Sequence, residues 1–140
     1  MRARIIAVGK VKQPWIRQGI QAYLKRMPNL KIAEVKDATP AKEASKILSL
    51  LQAQEKIVLL TETGTLFTSI ELAKFIQQQQ SDKLAFILGG PDGFSDDLRA
   101  RAWKTLSLSP LTFTHDMARL FLVEQLYRTQ TILQGGSYHK

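Results

Sequence analysis

The chain is predicted to form an α/β domain with a mostly parallel sheet flanked by helices. Three observations predict it. Short apolar runs alternate with helix-patterned stretches along the whole length. The run Leu84–Leu88 (Leu-Ala-Phe-Ile-Leu) has no polar alternation, as in a strand covered on both faces. It stops in a turn, Gly89-Gly90-Pro91-Asp92-Gly93, and open α/β sheets gather ligands at such strand ends.

Each element follows from local signals. Arg4–Gly9 reads as a buried strand. Pro14 opens a helix to about Met27, with Trp15, Ile16, Ile20, Tyr23, Leu24 and Met27 at helical spacing. Leu30–Val35 is a second strand. Pro40 starts a second helix, with Ala44, Ile47, Leu48 and Leu51 inward. Lys56–Thr61 is a third strand, closed by a turn at Gly64. Thr68 or Ser69 caps a helix through Ile70, Ala73 and Ile76, which frays in the glutamines at 77–80. After the fourth strand, Leu84–Leu88, Ser95 caps a short helix to about Trp103. Thr105–Ser109 is a short fifth strand. Thr114 caps a long last helix to about Leu133. No repeat or linker divides the chain, so residues 1–140 are expected to make one domain.

Composition narrows the chemistry. With no cysteine there is no disulfide frame, thiol nucleophile or Cys-type metal site. The two histidines, His115 and His139, cannot alone make a His-rich metal site. No apolar run approaches the ~20 residues of a membrane span. The first residues are too short in their apolar part for a secretion signal. A cytoplasmic protein is expected. The net charge of +8 lies wholly in the first quarter: residues 1–36 hold nine Lys or Arg against Glu34 alone. Such a concentrated positive charge suits a polyanion such as RNA or DNA. The plain alternative is a solvated basic face.

The glycine turn is not a phosphate loop. No lysine-hydroxyl pair follows it, and it comes after a late strand. Asp92 lies inside it and Asp96 and Asp97 open the next helix, where an anion would otherwise sit. A neutral or cationic ligand is favoured. The plain alternative is a tight turn with no ligand.

The last helix carries Met117, Ala118, Leu120, Phe121, Leu122, Val123, Leu126 and Tyr127, apolar around most of its circumference. A surface helix needs one apolar stripe. A second subunit would cover the remainder, unless the helix is central to its own chain. Asp116 reads as a helix-dipole partner, Glu124 and Arg128 as an i,i+4 ion pair, and Arg119, taken alone, as a surface residue. His115 and Asp116 have no nucleophile beside them to form a triad. The tail Ser137-Tyr138-His139-Lys140 offers a stacking ring and a group titrating near neutrality, although tails are often disordered.

Four segments together carry a family resemblance: Leu-Gly-Gly-Pro-Asp-Gly-Phe at 88–94, Leu-Ser-Leu-Ser-Pro-Leu-Thr-Phe-Thr-His-Asp-Met-Ala-Arg at 106–119, Val-Glu-Gln-Leu-Tyr-Arg at 123–128 and the terminal Tyr-His-Lys. With Ile-Ala-Val-Gly-Lys near the start and the spacing of Ile57–Thr61, the whole chain resembles the RlmH family of bacterial methyltransferases, in the SPOUT superfamily. The resemblance implies a C-terminal deep trefoil knot. It implies S-adenosylmethionine as methyl donor, with no metal, bound at Leu60, Gly89, Leu108, Ser109, Pro110, Leu111, Thr112 and Phe113. It also implies a homodimer that methylates N3 of a pseudouridine in 23S rRNA of the assembled ribosome.

A sulfonium cation without phosphate agrees with the acids around the glycine turn. Catalytic work is expected from His139, Tyr138 and Arg128, with the tail reaching the target nucleotide in its own or the partner subunit's site. Arg119 and Arg128 are expected to stabilise the imide anion that develops. The basic quarter, taken as distant from the knot, would anchor or orient the RNA. The runner-up is a non-catalytic ribosome- or RNA-binding module, which has no use for the glycine turn. A nucleotide-dependent enzyme with a degenerate phosphate loop is the third reading, and Asp96 and Asp97 count against it.

Overall fold

The computed structural model describes residues 1–140. Ten elements follow one another: β1 (Ala3–Val8), α1 (Pro14–Leu24), β2 (Lys31–Val35), α2 (Pro40–Leu50), β3 (Glu55–Leu66), α3 (Ser69–Gln78), β4 (Lys83–Leu88), α4 (Asp96–Arg101), β5 (Lys104–Ser107) and α5 (His115–Leu133). The strands form one sheet in the order β2-β1-β4-β3-β5, parallel throughout.

The unalternated run at 84–88 behaves as its pattern requires. Leu84, Phe86 and Leu88 enter the core made with α1, α3 and α5. Ala85 and Ile87 enter the opposite core, made with α2 and α4. Five consecutive side chains are buried because β4 is central and covered on both faces.

Helix starts are fixed by caps. Thr39, Ser95 and Thr114 each accept a backbone N–H of their first turn, and Thr68 makes a full capping box with Glu71. Helix α1 has no side-chain cap of its own. Asp116 supplies one from α5: its Oδ2 accepts the amides of Lys12 at 2.8 Å and Gln13 at 3.1 Å. Burial works to raise the Asp116 carboxyl, but those amides, with His115, hold it below its ordinary value. One aspartate thus ties the starts of α1 and α5 together.

Four expectations are corrected. Helix α1 stops at Leu24, and Lys25–Met27 form a tighter closing turn. Trp15 is 59% exposed, because the buried stripe of α1 is Ile16 and Ile20, one helical turn apart. Ile70 is 41% exposed, because it lies about 200° around α3 from buried Leu72. Strand β3 does not close at Gly64 but resumes to Leu66. Leu60 and Thr65 both register with Leu106, so Thr61–Gly64 loops out between them. A Cβ on Gly64 would lie 2.8 Å from the Leu106 backbone, so only glycine allows the two chain segments this approach.

Helix α5 packs against both α1 and α3, with Leu122, Val123 and Leu126 fully buried. Much of its apolar circumference is therefore covered within the chain. Phe121, 36% exposed, is left on the outside with Phe113, ring centroids 4.9 Å apart.

Candidate active site

Beyond the carboxyl ends of β3, β4 and β5 lies a cavity of about 600 Å³, within the range of small-ligand sites (~300–1,000 Å³). Leu60 and Glu62 come from β3 and its outward loop, Leu88 and Gly89 from the end of β4, and Leu108–Ser109 and Leu111–Phe113 from the segment between β5 and α5. These elements lie far apart in sequence and are neighbours only because β4, β3 and β5 are adjacent in the sheet.

The expected cofactor residues Leu60, Gly89, Leu108, Ser109, Leu111, Thr112 and Phe113 all line this cavity. Pro110 does not. It stands exposed at the crest of a turn held by the Ser109 Oγ, which accepts the Leu111 amide at 3.0 Å. The Ser107 hydroxyl shares its one proton between the carbonyls of Glu62 at 3.0 Å and Ser109 at 2.9 Å, fastening this segment to the β3 loop.

The glycines of the turn serve three different ends. Gly93 alone has a positive φ, +76°, and closes a turn in which its N–H donates to the Gly90 carbonyl. A Cβ on Gly89 would stand 2.9 Å from the Phe94 ring, so glycine there leaves the cavity its space. A Cβ on Gly90 would press on the Glu43 carboxylate at 3.2 Å.

Two charged residues of the cavity were not foreseen, Glu62 and Arg99. The acids expected to shape it lie elsewhere. Asp92 lines a neighbouring cleft, and Asp96 and Asp97 are exposed in the first turn of α4. The anion-repelling role given to them is corrected: the cavity holds one carboxylate and one guanidinium. Neither residue carries a signal in the sequence, because each enters through loop and helix geometry.

Part of the basic quarter lies close to the glycine turn. Strand β1 pairs with β4, with Ala7 opposite Leu88, so Lys10 emerges near Pro91 and Asp92 of the turn. Lys10 and Lys12 line the neighbouring cleft together with Pro91, Asp92 and His115. Arg2, Lys25, Arg26 and Lys31 instead belong to the opposite end of the sheet, where β1 and β2 begin and α1 ends. Arg4 is held by Glu55, with contacts of 2.6 and 2.7 Å.

The tail is ordered against its own α5. The Arg128 guanidinium meets His139 Nδ1 at 3.0 Å and Glu124 Oε2 at 3.0 Å, and lies 4.7 Å from the Tyr138 ring centroid. Tyr138 donates to Glu124 at 2.8 Å and lies 3.2 Å from the Tyr23 hydroxyl. Burial, then the contacts with Tyr23 and Glu124, raise its phenol well above the ordinary range, so it stays neutral. Arginine can only donate, so His139 Nδ1 accepts and the ring proton sits on Nε2. The three expected catalytic residues are therefore one cluster. Arg128 is ten residues along α5 from Ala118, the last residue of that helix to line the cavity, a separation of about 15 Å at 1.5 Å per residue.

Arg119 is a correction. Its side chain is 3% exposed, and it binds Glu34 at 2.6 Å and the Gly9 carbonyl at 2.9 Å. A guanidinium so engaged is a brace between α5, β2 and β1, not a surface residue and not a free cation for a developing anion.

No group of acids and histidines in the structure could hold a metal ion, and no helix is long and apolar enough to cross a membrane. A family model described as "Predicted SPOUT methyltransferase" matches residues 1–139. A protein of Parasynechococcus marenigrum named Ribosomal RNA large subunit methyltransferase H is 49% identical over 139 residues, covering 99% of this chain and 96% of its own. One of the same name from Prochlorococcus marinus (strain MIT 9303) is 51% identical over 137 residues, covering 98% and 91%. The cavity, the ordered tail and these likenesses lead to one assignment: the chain belongs to the SPOUT methyltransferases, in the RlmH family.

Proposed function

We propose that this chain transfers a methyl group from S-adenosylmethionine to N3 of a pseudouridine in 23S rRNA of the assembled ribosome, working as a homodimer. The observation that carries this reading is the cavity between Leu60, Gly89 and Leu108–Phe113, which fits the cofactor in size and chemistry. Leu60, Leu88, Leu108 and Leu111 supply apolar walls for an adenine. Arg99 would pair with the methionine carboxylate, and Glu62 would face the cationic part. The cofactor, when bound, supplies an electrophilic methyl on a sulfonium. The knot that the family implies would run through the close approach of Gly64 to Leu106.

The tail cluster supplies the other half. The ~15 Å along α5 between Ala118 and Arg128 sets Arg128, Tyr138 and His139 apart from their own chain's cavity. A partner subunit would bring its cluster to this cavity. Trp15, Leu111 and Phe121 flank the first half of α5 as exposed apolar groups that such a partner would cover. In the cluster, Arg128 and the Nε2–H of His139 are donors aimed at imide or phosphate oxygens. Tyr138, neutral and held by Glu124, is a stacking ring rather than a base. Glu124 already accepts from Arg128, Tyr138 and Gln125, so the N3 proton leaves to water.

Calorimetry with S-adenosylmethionine and with ATP, alongside a measured molecular mass, tests this reading. Cofactor binding by a dimer that ignores ATP supports it. RNA binding without cofactor binding makes the chain a non-catalytic ribosome-binding module, and affinity for ATP makes it a nucleotide-dependent enzyme.

A further inference from the structure

A second cleft, about 400 Å³, opens where β1 and β4 end side by side. Helix α1 leaves β1 on one face of the sheet and α4 leaves β4 on the other, so a crevice forms at this switch point. Open α/β sheets bind ligands at such crevices. The cleft shares Pro91 and His115 with the cofactor cavity as walls.

Two polar groups in it lack a structural explanation for all their capacity. Glu43, from the first turn of α2, is only 5% exposed and faces no cation. One carboxylate oxygen accepts the Ala38 amide at 2.8 Å, and no other protein donor reaches the group. Its second oxygen is not sealed off but opens on the cleft, free to accept a donor there. His115 Nε2, at the seam of the two cavities, is buried with no hydrogen-bond partner. Lys10 and Lys12 stand at the rim. Exposed Asp37 and Asp92 share that rim, so any phosphate there is held locally by the two lysines and not by a net positive field.

We propose that this cleft is the nucleoside subsite of the methyltransferase, in which Glu43 accepts a ring N–H of the target base while Lys10 and Lys12 hold its phosphate. The inference rests on the reading under Proposed function and adds the selection of the base. Pseudouridine carries two ring N–H groups, N1–H and N3–H, and uridine only N3–H. With N3 turned to the methyl donor, pseudouridine still offers N1–H to Glu43. Uridine offers nothing there and leaves the carboxylate unpaired. Glu43 is thus a specificity-determining residue, and its unused oxygen is the selector.

The test is Glu43→Gln. The Gln amide oxygen keeps the Ala38 bond, which turns its NH₂ toward the cleft, a donor facing a donor. Methyl transfer is measured on ribosomes carrying pseudouridine or uridine at the target, with calorimetric cofactor affinity and melting temperature alongside. The wild type is expected to favour pseudouridine about tenfold or more. Glu43→Gln is expected to lose that preference by slowing the pseudouridine reaction alone, with cofactor affinity unchanged. Lys10→Ala, an exposed substitution safe for the fold, is expected to raise KM for ribosomes several-fold at unchanged kcat. A Glu43→Gln enzyme that keeps the wild-type preference, or slows both substrates equally, overturns the subsite, as does a Lys10→Ala enzyme with unchanged KM. A wild type that methylates neither ribosome overturns the function itself.

Discussion

The guanidinium of Arg119, in the second turn of α5, donates to the carbonyl of Gly9, just past the end of β1, at 2.9 Å. Gly9 has φ +84°, and its own N–H donates to Val35 at the end of β2. The bend that sends Lys10 toward the glycine turn is thus held from both sides. Replacing Arg119 by Leu leaves that carbonyl and Glu34 without their cation. Stability is expected to fall by about 2 kcal/mol, and the melting temperature by roughly 4–8 °C. Unchanged unfolding in urea would mean that the brace is redundant.

Asp116 gives a pH prediction. Its folded pKa lies below the ordinary 3.8. A depressed carboxyl contributes stability above its unfolded value, and that stability is lost as pH falls through the folded value. Glu55 is lowered too: burial acts to raise it, but the Arg4 bond and the Gln52 amide together outweigh that. Acid unfolding of the wild type is therefore expected to steepen below about pH 4. Asp116→Asn should be less stable at neutral pH and flatter through that acid range. A profile parallel to the wild type would refute the α1–α5 tie.

Gly89 and Gly64 should fail in different ways. Gly89→Ala places a methyl against the movable edge of the Phe94 ring, so the ring shifts into the cavity. Cofactor affinity is expected to drop about tenfold or more with a small change in melting temperature, read by calorimetry. Gly64→Ala places its methyl against the Leu106 backbone, which cannot move aside without breaking the pairing of β3 and β5. It is expected to destabilise the whole fold by about 2 kcal/mol or more. Equal behaviour of the two variants would contradict this division.

Deleting Ser137–Lys140, or replacing Arg128 by Ala, is expected to cut methyl transfer by about a hundredfold or more while cofactor affinity stays unchanged. Mixing a tail-deleted subunit with a subunit carrying Gly89→Ala should restore part of the activity, because one composite site is then intact. Activity unaffected by the deletion would remove the tail from the mechanism.

The order and type of the elements were readable because their signals are local. The prolines at 14 and 40, the caps at Thr68, Ser95 and Thr114 and the unalternated run at 84–88 act within a few residues. The cofactor wall was readable through a family resemblance, and every expected residue but Pro110 lies on the cavity. What was hidden depends on strand order. That β1 neighbours β4 is written in no local pattern, so the closeness of Lys10 and Lys12 to the glycine turn was hidden. The same holds for Arg119, a polar residue on an apolar helix whose partners lie 85 and 110 positions away. Asp116 has a local explanation at a helix start, which concealed its cap on a different helix.

Incubating the protein with methyl-labelled S-adenosylmethionine and ribosomes or free rRNA, then locating the label by mass mapping, shows directly whether this chain methylates the ribosome. One labelled nucleotide is expected, a pseudouridine of 23S rRNA carrying the methyl on N3, formed on assembled ribosomes. Label on another base or another RNA, or no label from a protein that binds the cofactor, would contradict that expectation.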